Sequence, residues 1–482
     1  MSKEIKFGTD GWRDVIADGF TFENVRTAAN AIGTYILKTS SKNLPVLIGY
    51  DTRFLADEFA KSCAKELSNL GLNVYLSETF IPTPIIAYQA VQFKSKEATI
   101  GSNGAIQFTA SHNPPKYCGL KYITNYGGPA PIKVTDEITQ NINELILKTN
   151  KNKKPGISKN INIFNPRNDY VTHLKSLIDF ESIKKAGLKI VYDPMYGAGN
   201  GYLDSILKEA GCNTITIHNK KDPLFGGLLP EPREDFLSEL KKSVTENKAH
   251  LGLATDGDAD RLGAIDSDGT FFSPNKIASM LLRHLFKNKK QTGTVVRTLS
   301  TTHLLDHLAK AYDLQLIETQ VGFKWICEEM RKENVLIGAE ESGGISIKNH
   351  VPDKDAILAG MLLTEMIAME KKTLSQIFNE TLKDAKWNCI NDKFDLHMNE
   401  KQKTYFISSL QSRDLKNLQD LQVASINTIE GVKYVFEDGS WFLARPSGTE
   451  PMARVYFEAT SDKVLETMKK AIQVIVDDSI KL

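Results

Sequence analysis

At 482 residues the chain exceeds what one hydrophobic core usually supports, and typical domain size predicts about three to four domains. Hydrophobic residues at 41% and charged residues at 25% describe an ordinary soluble globular protein and exclude a disordered or membrane-embedded one. Sixty Lys and Arg against fifty-nine Asp and Glu leave a net charge of +1, which excludes a global pull toward nucleic acid or membrane; anion binding has to come from local clusters.

Cys63, Cys118, Cys212, Cys327 and Cys389 are odd in number, widely spaced and form no C-x-x-C pair. Neither a disulfide framework nor a cysteine zinc site is expected, and a reducing cytoplasm is the simplest setting. Met1 to Lys6 is charged and runs into a glycine-containing turn, which predicts no signal peptide. No apolar run has the length of a membrane span.

In chain order, Leu44 to Tyr50 is a short apolar run, Phe54 to Leu70 has helical spacing, and Leu72 to Leu76 is apolar before the Pro82-Thr83-Pro84 turn. That predicts strand, helix, strand. The rhythm returns at Leu188 to Tyr192, Gly201 to Ala210, Thr214 to His218 and His250 to Ala254. It returns again at Thr294 to Thr298, Thr301 to Tyr312, Leu314 to Glu318, Gly322 to Lys332 and Val335 to Ala339. Three successive mixed α/β domains are therefore expected. Lys148 to Asn162 is polar with one Pro-Gly step and predicts a solvated linker; a second polar stretch is Asp384 to Lys393. Beyond it Val432 to Phe436, Trp441 to Ala444 and Ala453 to Glu458 predict strands, with a helix from Lys463, as a smaller α+β fourth domain. The boundaries expected are 1–150, 163–265, 266–383 and 390–482.

Four loops carry chemistry. Thr109-Ala110-Ser111-His112-Asn113-Pro114-Pro115 follows the strand-like Ile106 to Phe108 and leaves Ser111 at a strand end, although by itself it also suits a plain Ser-Asn-Pro turn. Asp256-Gly257-Asp258-Ala259-Asp260-Arg261 places three carboxylates at alternate positions after an apolar run. An EF-hand would need Gly at the sixth position, where Arg261 stands, so the compact loop suits Mg²⁺ better than Ca²⁺; an Asp-Gly turn is the plainer alternative. Glu340-Glu341-Ser342-Gly343-Gly344 follows the Val335 to Ala339 strand, where α/β ligands bind, and is equally a solvated turn. Arg445-Pro446-Ser447-Gly448-Thr449-Glu450-Pro451 joins two strands and offers a guanidinium, two hydroxyls and glycine-freed amides, the donors a phosphate needs.

With Gly8-Thr9-Asp10-Gly11-Trp12-Arg13 near the start, these loops resemble, in order and spacing and essentially end to end, the signature set of the α-D-phosphohexomutase family. The resemblance implies three α/β domains and a C-terminal domain of TATA-box-binding-protein-like shape around a central cleft. It makes Ser111 the phosphoserine and the Mg²⁺ ligands Asp256, Asp258, Asp260 and an oxygen of phospho-Ser111. It places Arg13, His112 and Arg261 at the reacting phosphate, with Lys121 in Gly119-Leu120-Lys121 as general base. A lysine does that work only if its pKa falls from about 10.4 toward neutrality. Glu340 and Ser342 match the sugar-hydroxyl binders, and Arg445, Ser447, Gly448 and Thr449 the distal phosphate loop.

The reaction so implied moves phosphate between the 1- and 6-positions of a hexose through a hexose 1,6-bisphosphate, with glucose 1,6-bisphosphate as activator. Thr319, Gly322 and Lys324, in the loop Thr319 to Trp325, together with Glu341 and Gly344, resemble the glucose-specific branch. Mannose- and glucosamine-type members more often carry Met or Gln, and His, at those last two positions. Phosphoglucomutase activity is the first expectation, phosphomannomutase the alternative, and a metal-dependent sugar phosphatase the rival from another class. A monomer or homodimer is expected. Trp12, Trp325 and Trp441 are candidates to stack on sugar, and Trp387 to pack in a core. His303 and His307 share a helix face without the third ligand a zinc site needs. No G-x-G-x-x-G or P-loop motif supports nucleotide binding.

Overall fold

The computed structural model describes residues 5–8, 11–40, 44–94, 100–147, 161–332, 334–412, 417–418, 421–447 and 451–481. Four sheets follow one another along the chain. The first runs in spatial order Trp12–Val15, Tyr117–Ile123, Ala105–Phe108, Val46–Tyr50, Val74–Ser77, Ile161–Phe164, its last four strands parallel. The second is Phe271–Phe272, Leu262–Asp266, Leu251–Thr255, Lys189–Asp193, Asn213–Thr216, and the third Leu316–Thr319, Thr294–Thr298, Val335–Ala339, Ile345–Ile347. Each of these has a parallel centre and an antiparallel margin. The strands Val46–Tyr50, Leu251–Thr255, Thr294–Thr298 and Val335–Ala339 are buried throughout, as parallel strands covered on both faces must be.

The fourth sheet is wholly antiparallel: Ile390–His397, Met452–Ala459, Trp441–Pro446, Val432–Phe436, Leu421–Asn427, Asn417–Leu418. The helices Glu400–Ser412 and Asp462–Ile480 supply Phe406, Leu410, Leu465, Met468 and Ile472 to its core. Ser461 starts the second helix by accepting from the Val464 N–H. Three α/β layers followed by an antiparallel α+β unit is the fold the sequence predicts.

Two stretches depart from expectation. The predicted linker ends early: residues 148–160 lie outside the described set, but Ile161 and Asn162 already belong to a strand paired in parallel with Val74–Ser77. The polar stretch 384–393 is likewise entered by Ile390–His397, whose alternating half-buried and exposed residues mark a one-sided strand. Charged side chains on the solvent face hid the period-2 pattern.

The helix Ala356–Glu370, buried almost all round, carries no amphipathic signal and was not foreseen. It belongs to a core cluster that also holds Leu47 and Ile81 of the first layer, Leu203 and Leu253 of the second, and Val295 and Ile337 of the third. A Cβ on Gly360 would come within 3.1 Å of Leu203. The α/β layers therefore share a core. Among the described residues no helix is long and apolar enough to cross a membrane.

At the start of that helix a polar chain crosses the layers. Asp355 caps it through the Leu358 N–H at 2.8 Å and accepts from Tyr170 at 2.6 Å. His350 Nε2 lies 2.9 Å from Asp355, and His173 Nε2 lies 2.9 Å from His350 Nδ1. Burial first, then His350, pushes the His173 pKa down to about 4. With the folded value depressed, the unfolded chain binds the extra proton between pH 6.5 and 4, so this contribution is intact above pH 6.5 and is lost as pH falls. Replacing His173 by Gln is expected to flatten the acid limb of the unfolding midpoint measured against pH, leaving the midpoint's dependence above pH 7 unchanged.

Candidate active site

The chemistry-bearing loops leave the carboxyl ends of strands and meet, the place where ligands bind in open α/β sheets. Ser111 follows Ala105–Phe108 with φ +50, a left-handed conformation steadied by its N–H donating to Thr109 Oγ1 at 2.8 Å. Its own Oγ donates to Asp256 Oδ2 at 2.8 Å, and His112 Nδ1 stands 3.3 Å from the same oxygen. The turn is caged by Arg53, a residue sequence reasoning missed. The buried guanidinium donates to the carbonyls of Ser111 (2.7 Å), Asn113 (2.6 Å), Pro114 (2.9 Å) and Tyr117 (3.0 Å). Asp51 balances its charge at 3.3 Å. Its partners are carbonyls about sixty residues downstream, which no local pattern marks; the only cue was an Arg two residues after a strand-end Asp.

Asp256, Asp258 and Asp260 are all buried, and each offers an oxygen such that the three lie within 4.8 Å of one another. Asp256 Oδ1 accepts the N–H groups of Asp260 (2.9 Å) and Arg261 (3.1 Å), which curls the loop. Burial, followed by the charges of Asp260 and Asp258, holds the Asp256 pKa well above the carboxylate range. The neighbouring domains answer this negative charge. Lys121, on Tyr117–Ile123, donates to Asp258 and Asp260, both at 3.0 Å. Lys354 Nζ lies 3.4 Å from Asp260. Thr83 donates its hydroxyl to Asp258 Oδ2 at 2.6 Å and its N–H to the Asp258 carbonyl at 2.9 Å. Asp260 Oδ1 is buried with no hydrogen-bond partner among the described residues. Three converging buried carboxylates, one oxygen without a hydrogen bond and a serine hydroxyl bonded to the group, fit a hard divalent cation.

Arg13 Nη1 donates to Asn113 Oδ1 at 2.7 Å, which brings it to the serine turn. Arg261 lies beside Asp260 and Glu231, at 3.9 and 3.7 Å, and feels Glu340. His112 is held well below the usual imidazole pKa by burial and then by Arg261, Arg13, Arg454 and Arg53, so it is neutral at physiological pH. Glu340 and Ser342 sit in a tight turn, with the Gly343 N–H donating to the Glu340 carbonyl at 3.2 Å and Ser342 Oγ donating to Glu340 Oε2 at 3.4 Å. That turn touches the aspartate loop, the Leu262 N–H donating to the Gly343 carbonyl at 3.4 Å.

The remaining candidates form a second group at the C-terminal sheet. Arg445 Nη2 donates to Glu430 at 2.5 Å, and Ser447 donates its N–H to the Met452 carbonyl at 2.9 Å. Gly448 and Thr449 lie outside the described residues. Gly322, at φ +122, turns the chain into the helix Phe323–Lys332. Lys324 stands 5.2 Å from the Trp325 ring, its pKa lowered by burial and opposed by Glu430. Thr319 spends its hydroxyl on the backbone of Arg297 and Gln320. Glu341 is turned toward the C-terminal domain, accepting from Ser300 at 3.0 Å and interacting with Tyr456.

Sequence reasoning also missed Lys354 and Arg454. Gly344 makes room for the first, since a Cβ there would lie 2.3 Å from Lys354 Cδ. Trp12 and Trp441 are not sugar platforms. Trp12 stacks on Phe20 at 4.5 Å inside the first core, and Trp441 is buried with Nε1 bonded to Glu458 at 3.1 Å. His303 accepts from Lys433 and His307 stacks on Trp387, so the pair shares no ligand.

Fold and site together define a phosphoryl-handling enzyme of the mutase class. Domain models described as phosphoglucomutase/phosphomannomutase match throughout: alpha/beta/alpha domain I at residues 4–148, domain II at 168–269, domain III at 273–385 and the C-terminal domain at 398–473. The chain belongs to the phosphoglucomutase/phosphomannomutase family of metal-dependent phosphohexose isomerases. A phosphoglucosamine/phosphogalactosamine mutase of Sulfurisphaera tokodaii is 31% identical over 98% of this chain and 99% of its own. A phosphoglucomutase/phosphomannomutase of Thermococcus kodakarensis is 28% identical over 97% and 98%. The solved structure of a Thermus thermophilus protein assigned as a phosphomannomutase superposes with TM-score 0.84 at 31% identity, covering 98% of this chain and 100% of that one.

Gly257 lies where the two reacting loops touch. A Cβ there would stand 2.5 Å from the Ser111 carbonyl oxygen, backbone against backbone. Gly257→Ala is expected to displace the serine turn and lower kcat about 100-fold, with the far-UV circular dichroism of the wild type retained.

Proposed function

We propose that the chain moves a phosphoryl group reversibly between the 1- and 6-positions of a hexose phosphate, with glucose 1-phosphate and glucose 6-phosphate as the pair. The observation that carries the reading is Ser111 Oγ, buried at a strand end and bonded at 2.8 Å to a triad of buried carboxylates that Lys121 bridges. Phosphoryl transfer is mainly positioning and charge stabilisation, and this setting supplies both.

Ser111 carries the phosphoryl group. A free sugar hydroxyl attacks it in line, the Ser111 Oγ–P bond breaks, the sugar O–P bond forms, and Lys121 takes the hydroxyl proton as the neutral amine, its ion pairs with Asp258 and Asp260 given up. The bisphosphate turns over in the cleft and returns its other phosphate to Ser111. Arg13 and Arg261 face the transferring group, and neutral His112 neighbours the reacting oxygen without competing for its proton. Asp256, Asp258, Asp260 and Ser111 would hold Mg²⁺, which when bound neutralises charge on the transferring phosphoryl. Glu340 and Ser342 hold sugar hydroxyls, and Arg445 with the loop from Ser447 holds the distal phosphate in either orientation.

Glu341 and Gly344 favour glucose. A second reading, a 2-amino sugar, is favoured by relatives at 30–31% identity named phosphoglucosamine mutases, among them that of Caldicellulosiruptor bescii. The test is a coupled assay on glucose, mannose and glucosamine 1-phosphates, with and without glucose 1,6-bisphosphate. Glucose is expected to give the highest kcat/KM, and equal efficiency on two sugars sinks the exclusive assignment. Ser111→Ala is expected to abolish turnover and the phosphoryl mass increment of the intact protein. Chelation is expected to stop the reaction and Mg²⁺ to restore it. Phosphate release equal to isomer formation would make the enzyme a hydrolase instead.

A further inference from the structure

Glu430 occupies a junction that the proposed reaction does not use. It stands in the turn before Val432–Phe436 and divides its carboxylate between two domains. Oε1 accepts from Arg445 Nη2 at 2.5 Å, and Oε2 accepts the N–H of Val321 at 2.7 Å. Val321 lies in the loop Thr319 to Trp325 of the third domain, where it packs with Leu299 against Trp441, Leu443 and Tyr456 of the fourth. The turn has little freedom. Gly431, at φ +88, lies so close to the neighbouring strand that a Cβ would stand 2.2 Å from the Ala444 carbonyl and 2.9 Å from Arg445 Cα. Glu430 is thus pressed against the strand that presents Arg445. Because Glu430 engages only Nη2, the buried Arg445 Nε has no hydrogen-bond partner among the described residues.

A guanidinium held at one terminal nitrogen is fixed in direction, which prepares it to meet a phosphate without a search over rotamers. We propose that Glu430 is a positioning residue: it fixes Arg445 for the distal phosphate and ties that anchor to the Thr319 to Trp325 loop, so the anchor is in place only when the fourth domain sits on the third. The proposal rests on the reading of Arg445 as phosphate anchor. Glu430 itself touches no substrate.

The test measures KM and kcat for glucose 1-phosphate in Glu430→Ala, Glu430→Gln, Arg445→Ala and the double alanine variant, each checked for its unfolding midpoint. Glu430→Ala is expected to raise KM about tenfold while kcat stays within about threefold, and Glu430→Gln, with one acceptor oxygen, to fall between it and wild type. The double variant is expected to be no worse than Arg445→Ala, because both changes remove the same contact. A wild-type KM in Glu430→Ala, or a full Glu430→Ala penalty added to that of Arg445→Ala, overturns the proposal. Should Glu430→Ala not fold, Glu430→Gln carries the same comparison. An unchanged KM in Arg445→Ala would instead overturn the anchor reading itself, whatever Glu430→Ala does.

Discussion

Three buried carboxylates within one five-residue span set the terms for the rest of the molecule. Asp256, Asp258 and Asp260 lie within 4.8 Å of one another, and for Asp256 desolvation and then the charges of its two neighbours oppose ionisation. The compensating groups come from outside the loop: Lys121 and Thr83 from the first domain, Lys354 from the third. A loop whose charge is balanced by its neighbours draws the α/β layers together. The shared core around Ala356–Glu370 then gives that convergence an apolar floor.

The place of Ser111 follows from the same convergence. Ser111 meets Asp256 because Gly257 lets the two loops touch and because Arg53 holds the far side of the serine turn by its carbonyls. Beside the Ser111 hydroxyl, burial first and then the arginines keep His112 neutral, so the positive charge there belongs to guanidinium groups and not to imidazolium. The fourth domain attaches differently. Its contact with the third sets a small apolar cluster, Leu299 and Val321 against Trp441, Leu443 and Tyr456, beside a polar seat: Glu458 accepts from Trp441, Asn391, Thr302 and the His303 N–H, and Lys433 donates to the Leu299 carbonyl and Glu318. The directional bonds of that seat hold one orientation closely, which suits a domain that carries a proposed phosphate anchor.

Where a property was written in consecutive residues, it was legible. The strand runs Thr294 to Thr298 and Val335 to Ala339 match the structure to the residue, the first rich in β-branched side chains and the second apolar throughout. The helix Ala356–Glu370 was missed for the opposite reason: buried on every side, it has no polar face to generate a period. Ile390–His397 was missed because Asp and Lys on its outer face read as part of a polar stretch. In the site, the aspartate and serine loops stood out as clustered polar residues at strand ends, and the family resemblance supplied their expected chemistry. Arg53, Lys354, Arg454 and Glu430 did not, because each is an ordinary charged residue until its partner arrives from elsewhere in the chain.

The sequence by itself determined the class of fold, the family and the set of candidate loops, because periodicity and clustered polar residues are local and survive without coordinates. Only the tertiary structure decided which charges meet. It set Lys121 between Asp258 and Asp260, turned Glu341 away toward Tyr456, buried Trp441 beside Glu458 and divided Glu430 between two domains. Electrostatic and hydrogen-bonding partners are selected by distance in space, and pairs separated by more than a hundred residues, such as Ser111 with Asp256 or Glu430 with Val321, leave no mark on either local stretch.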